Sequence, residues 1–302
     1  MVIGALLDPE APNHADVNAG RGRKETALHK AAKYGDTNIC KQLIRLGARV
    51  NQRGGEYTTA LNAAVASGYH KTAIFLLKEQ KADPNHRAGH LANALSAALY
   101  SRTHELVEPL LDAGVDVNAT DIQGWSAFHL AARLGSWEIL GRLMNTRSSR
   151  RPGVDKQGRS LLHHAAMCGQ RDPFLRVLID EQMDWDAIDI PDVDGWTPLH
   201  WACRHNENLD IIKDLIDCGA DFTRATEDGW TPEIIAITHN AAEVLSYIQG
   251  RLAETGATSP EDKTESRPTR RKVGFLHSAY KCDGCFLDVC QSPLPPSPPC
   301  NS

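Results

Sequence analysis

The side chains to question first about chemistry are thirteen histidines and eight cysteines in 302 residues. An imidazole serves as a general base or metal ligand near neutral pH, and thiolates two residues apart reach one tetrahedral zinc. Cys282 and Cys285 form such a Cys-x-x-Cys half-site. The histidines fall into a different pattern. His29, His129, His163 and His200 each stand three residues after Thr26, Ser126, Ser160 or Thr197, and a position repeated so regularly points to turn organisation, the ring bonding the hydroxyl and nearby backbone. His163 and His164 adjoin only in sequence, because successive helical residues do not face one another. Asp121, Asp155 and Asp192 also recur at equivalent places, where turn chemistry accounts for them. No Gly-rich phosphate loop, Gly-x-Ser-x-Gly elbow or His-Glu-x-x-His pair occurs. Nothing therefore supplies a nucleophile with its base, and the chain is expected to be no enzyme.

The elements that hold these residues follow from repetition. The phrases starting at Thr26, Thr59, Asn93, Ser126, Ser160, Thr197 and Thr231 lie 33, 34, 33, 34, 37 and 34 residues apart. Each is followed at the fifth step by Ala: Ala31, Ala64, Ala98, Ala131, Ala165, Ala202 and Ala236. A Gly, a Leu/Ile-rich stretch and often a closing phrase such as Gly114-Val115-Asp116-Val117-Asn118 complete the unit. Thr197 is set to cap a short helix with Pro198 at its first position, and Leu199, Ala202 and Cys203 share one face. Leu209, Ile211, Ile212, Leu215 and Ile216 make the stripe of a second helix that ends before Gly219. Neither helix buries its stripe alone, so the units must stack.

In its 33-residue period and its Thr-Pro-Leu-His-x-Ala phrase, intact at Thr197 to Ala202, the chain resembles an ankyrin-repeat array. The resemblance implies an all-α solenoid of helix-turn-helix units joined by β-hairpin loops, with residues 1–20 as a partial repeat or cap and 21–250 as the array. It also implies a protein-protein interaction scaffold whose concave face holds a partner protein. Carried over by motif position, the partner-binding residues are Trp125, Trp196 and Trp230 before the cap, with Tyr34, Tyr100, Arg133, Arg204 and His205 near the inner-helix end; Trp137, Trp185 and Trp201 are read as packing residues. The rival readings are a recruitment arm or fragment of a larger multidomain signalling or enzyme protein, and a zinc-dependent peptide-reading adaptor.

Unit three departs most from the pattern. It lacks both Thr and His (Asn93, Ser96), has Arg102 where Gly usually stands, and places Pro109 in its second helix, so it is the expected weak point. The 37-residue spacing predicts a longer loop near residues 170–173 or 188–191. Cys40, Cys168, Cys203 and Cys218 read as small buried hydrophobes.

Residues 251–273 change to Thr, Ser, Glu, Pro and Arg and read as a disordered linker, its basic Arg267 to Lys272 a candidate nuclear address. Residues 274–302 resemble the opening of a ZZ-type zinc finger, truncated before the further Cys pairs of that family. Zinc at Cys282 and Cys285 is the one cofactor implied. The balance of 33 Lys and Arg against 38 Asp and Glu, net −5, carries no footprint for nucleic acid. No apolar run of membrane-spanning length and no signal peptide is seen, so a cytoplasmic or nuclear monomer is expected.

Overall fold

The computed structural model describes residues 16–20, 25–146, 153–169, 188–205 and 209–256. Unit one supplies α1 (Ala27–Lys33) and α2 (Thr37–Arg45). Unit two supplies α3 (Ala60–Ala66) and α4 (His70–Ile74), which continues as a π-helical turn over Phe75–Glu79. Unit three has α5 (Ala94–Tyr100), a 3-10 turn at His104–Leu106 and α6 (Val107–Asp112). Unit four has α7 (Ala127–Arg133) and α8 (Trp137–Met144), and unit five has α9 (Leu161–Cys168). Units six and seven add α10 (Pro198–His205), α11 (Leu209–Asp217), α12 (Pro232–Thr238) and α13 (Ala242–Thr255).

The inner helices α1, α3, α5, α7, α9, α10 and α12 pack each on the next. Small residues permit this approach: Ala32, Ala64, Ala98, Ala131 and Ala236 are fully buried in one continuous core. Leu28, Leu61, Leu95, Phe128, Leu162 and Leu199 fill the space behind them. Unit seven places Glu233 at the Leu position, buried, with its Oε1 accepting from Gln249 of α13.

Two polar ladders fix the stacking. Asn18 Oδ1 accepts from the Arg49 amide, Asn51 from Asp83, Asn85 from Asp116 and Asp189 from Asp221, at 2.8, 2.9, 2.7 and 3.0 Å. The closing phrase of each of these units is thus tied to the next, including the partial unit at Asp16 to Gly20. In the hairpins, the Lys156 and Val193 amides donate to the Gln123 and Gln157 carbonyls at 3.0 and 2.9 Å. This approach requires Gly124 and Gly158, which have φ of 83° and 75°, and an added Cβ would meet the next hairpin's backbone at 3.0 and 3.2 Å. Among the described residues the hairpins form no strand; an isolated bridge joins Ala88 and Leu91.

Several departures from the sequence reading have physical causes. Pro109 is not interior: the 3-10 turn delays the α-helix to Val107, which puts Pro109 in its first turn, where an amide has no helical partner to lose. Arg102 does replace the helix-ending glycine and adopts its conformation, φ 56°, beside 74°, 77°, 69° and 71° for Gly35, Gly68, Gly135 and Gly169. Ile188 is spaced from Asp192 as Val117 is from Asp121, so residues 188–191 hold no insertion; residues 170–173 lie outside the described residues. Helix α13 runs on to Thr255 with Leu252 buried, five residues into the stretch read as linker. Cys40 and Cys203 are buried, whereas Cys168 and Cys218 are half-buried.

Candidate functional site

The recurring histidines organise the caps. In units one, four and five the cap hydroxyl takes the amide three residues on, while the His ring takes the cap residue's own amide. The hydroxyl lies 2.7 to 2.9 Å from Nδ1 in all four His-bearing units. A backbone amide only donates, so Nδ1 is the acceptor and the proton sits on Nε2. That Nε2–H donates onward to the carbonyls of Thr58, Gly153, Trp196 and Trp230 at 3.3, 3.1, 3.0 and 3.2 Å. Each ring therefore joins its own cap to the following hairpin and has no nitrogen left for a substrate or metal. Burial pushes the rings down, His163 and His200 to about 4, which keeps them neutral. Unit two uses Asn62 instead, its Nδ2 donating to the carbonyls of His86 and Arg87.

A network the sequence reading did not assemble lies at the seam of units four and five. Asp155 Oδ1 accepts from the amides of Gln157 and Arg159, closing the hairpin as expected. Its Oδ2 accepts from Trp125 Nε1, Arg159 Nε and His164 Nε2 at 2.9, 2.9 and 3.1 Å. Burial alone would raise this carboxyl; the His164 and Arg159 hydrogen bonds and the guanidinium charge outweigh it and hold it below the usual carboxylate range. His164 is fully buried and pushed well down by desolvation. One unit on, Trp201 stands at the position of His164, and its Nε1–H donates to Asp192 Oδ2 at 2.9 Å. The sequence signal was the shared offset between His164 and Asp155 and between Trp201 and Asp192.

The candidate binding residues separate into two groups. Trp196 and Trp230 are only 4% and 6% exposed, their ring centroids 6.4 Å apart, and Trp196 also packs on Trp201 at 5.2 Å. Rings so enclosed have little area to offer a partner. Trp125 is half-buried, with the guanidinium of Arg133 5.4 Å and that of Arg159 5.8 Å from its centroid. Tyr34 is 73% exposed, and Tyr100, Arg133, Arg204 and His205 are partly exposed at the inner-helix ends. Trp201 is buried as a packing residue should be, whereas Trp137, 37% exposed, is not. Trp185, Cys282 and Cys285 lie outside the described residues. Among the described residues no cluster of three or more His, Cys, Asp or Glu is arranged to hold a metal ion.

This geometry of short inner helices, hydroxyl-histidine caps and linked hairpins has a counterpart among known proteins. A family model described as ankyrin repeats matches three times, over residues 3–88, 95–189 and 172–258. The chain belongs to the ankyrin-repeat family. The human ASB11 ankyrin repeat domain superposes with a TM-score of 0.58 at 25% identity, covering 74% of this chain and 98% of that one. The ankyrin repeat domain-containing protein SAT10 of Stachybotrys chartarum is 29% identical over 260 residues, 80% of this chain and 13% of SAT10. Palmitoyltransferase AKR1 of Lachancea kluyveri is 27% identical over 76% of this chain and 31% of its own length. The human transient receptor potential cation channel subfamily A member 1 is 29% identical over 79% of this chain and 22% of the channel. The chain thus spans less than a third of the length of SAT10, of the palmitoyltransferase and of the channel. Among the described residues no helix is long and apolar enough to cross a membrane.

Proposed function

We propose that this ankyrin array is a non-catalytic scaffold that binds a partner protein on the face formed by its hairpins and inner-helix ends. The observation that carries the reading is a division of labour along each unit. The recurring positions, cap hydroxyl, histidine and hairpin carboxylate, are used up in internal hydrogen bonds, while Tyr34, Tyr100, Arg133, Arg204 and His205, at positions whose residue types vary along the array, stand at least partly exposed. A constant interior with a varied rim is what partner selection by a shared fold requires. A photo-crosslinking amino acid placed at Tyr34 or Tyr100 should capture the partner, and the same group at Trp137 on α8 should not. Capture from Trp137 alone would place binding on the other side and overturn the reading.

A second reading is favoured by the coverage of the relatives. Because comparable arrays occupy 13% of SAT10, 31% of the palmitoyltransferase and 22% of the channel, this array also suits the role of a recruitment arm that brings a partner to another functional unit. A zinc-dependent adaptor role would need metal at Cys282 and Cys285, and metal analysis of the purified chain decides it: stoichiometric zinc lost on Cys282→Ser supports the role, and metal-free protein removes it. The scaffold is proposed to act as a cytoplasmic or nuclear monomer without nucleic-acid or membrane contacts of its own.

A further inference from the structure

Unit seven leaves open a position that every unit before it closes. The sixth residue after the cap is Ala32, Val65, Leu99, Ala132, Ala166 and Cys203 in units one to six, each no more than 1% exposed. In unit seven it is Ile237, 39% exposed. The outer helix shows the same change: Leu245, the fourth residue of α13, is half-buried, whereas the fourth residues of α2, α8 and α11, Cys40, Leu140 and Ile212, are buried. Ile234, also half-buried, stands where His29, His129, His163 and His200 donate to the following hairpin. An isoleucine cannot make that bond, so the cover suited to this end is apolar.

The chain itself carries such a cover. After Leu252 the next large apolar residues are Val273, Phe275, Leu276 and Tyr280. Gly256 ends α13 in the left-handed conformation, φ 66°, which takes the chain out of the helix direction. Leu245 lies about 15 Å back along the axis from Thr255. A coil as long as residues 257–272 averages about 20 to 25 Å end to end, enough to make that return. Charge favours the same placement: residues 209–256 hold nine Asp and Glu against three Lys and Arg, whereas residues 267–281 hold five Lys and Arg and no Asp or Glu.

We propose that residues 273–280 cover the end face of unit seven of their own chain, Phe275 and Leu276 resting on Ile237 and Leu245, and that the basic run Arg270 to Lys272 is steered there by the acidic excess of units six and seven. The segment closes the solenoid, whose bare apolar end would otherwise invite further stacking. A second copy is the less suited occupant, because a segment tethered by so short a connection is present at about millimolar effective concentration. The placement is independent of which partner the inner face binds.

The test uses the full chain with a photo-crosslinking amino acid at Ile237. Tryptic digestion and mass spectrometry should find that position joined to the peptide Val273 to Lys281 of the same chain, and Phe275→Ser/Leu276→Ser should lower the yield about tenfold or more. Should the crosslinker disturb unit seven, hydrogen exchange decides without it: amides of α12 and α13 should exchange about tenfold faster in the Phe275→Ser/Leu276→Ser chain than in the wild type. Equal exchange in the two chains overturns the proposal, as does a crosslink that avoids residues 273–281. A crosslink to those residues of a second copy, seen as a covalent dimer, overturns the intramolecular placement.

Discussion

The Nε2–H of His163 donates to the carbonyl oxygen of Trp196, 3.0 Å away and 33 residues further along the chain. The same ring accepts the Ser160 amide on Nδ1, so one side chain closes a helix cap and ties it to the next hairpin. Replacing it by Leu strands a buried amide and a buried carbonyl, and His163→Leu should cost about 3 kcal/mol. Because Asn62 holds the equivalent place in unit two and donates to carbonyls of its own neighbour, His163→Asn should recover part of that loss. Equilibrium urea unfolding of the two variants checks the order; equal midpoints would count against the inter-unit bond.

The same rings make stability depend on pH. Burial lowers His163, His200 and His205 to about 4, whereas an unfolded His titrates near about 6.5. Between those values the unfolded chain binds protons that the folded chain refuses. Stability is therefore complete above about pH 6.5 and falls as pH drops toward 4, by about 1.4 kcal/mol per pH unit for each ring. Urea midpoints measured at about pH 7, 6 and 5 should decline progressively, and His163→Asn should shallow the decline. A flat profile would mean that the rings are not buried neutral.

Asp155 and Arg159 form a buried ion pair, with side chains 0% and 8% exposed and Arg159 Nη2 2.9 Å from Oδ2. Asp155→Asn keeps the volume and removes the charge, leaving the guanidinium enclosed without its counter-ion. A cost of about 3 to 5 kcal/mol is expected, with a further shift in Trp125 fluorescence because its indole N–H loses the same acceptor. Asp121→Asn in unit four is the control: its Oδ1 accepts the amides of Gln123 and Trp125, and an Asn oxygen does this equally well. The prediction fails if both variants lose the same stability.

Unit three should be improvable at two positions. Arg102 holds φ 56°, a conformation that costs a side-chain-bearing residue about 1 kcal/mol and glycine almost nothing. Ser96 Oγ is buried and has no hydrogen-bond partner among the described residues. Arg102→Gly and Ser96→Ala should each raise stability by about 1 kcal/mol, and differential scanning calorimetry of the double variant should show an upward shift. Destabilisation by Arg102→Gly would show that the arginine side chain contributes more than its backbone strain costs.

What was legible in the sequence is what the period itself encodes. The helix order, the caps, the histidine row and the strained Arg102 all follow from comparing a position with its counterparts 33 or 34 residues away. Depth is not encoded in that way. An offset tells which side of the unit Trp196 leaves from, but its burial depends on Trp201, Arg204 and Trp230, residues of its own and the next unit packing together. His164 was passed over because its sequence neighbour His163 faces elsewhere; its partner Asp155 lies nine residues back across the hairpin. Pro109 was misplaced because a 3-10 turn shifted the helix start, a boundary that apolar spacing does not resolve.

The burial of Trp196 changes what its removal should do. A tryptophan anchor exposed for a partner would be deleted at little cost to stability and a large cost to binding. Trp196 instead packs against His200, Trp201 and Trp230 with Arg204 over its ring, so Trp196→Ala opens a cavity and should cost about 3 to 5 kcal/mol. Trp230→Ala should behave alike, though its place nearer the end of the array leaves more room to relax. Trp125 is only half-buried, with Arg133 and Arg159 over its ring, so cutting it to Ala should cost less stability than cutting Trp196. Melting temperature and affinity for the crosslinked partner measured on all three variants separate the roles. Stability unchanged in Trp196→Ala together with lost affinity would restore this residue as a direct anchor and refute the supporting role drawn from its burial.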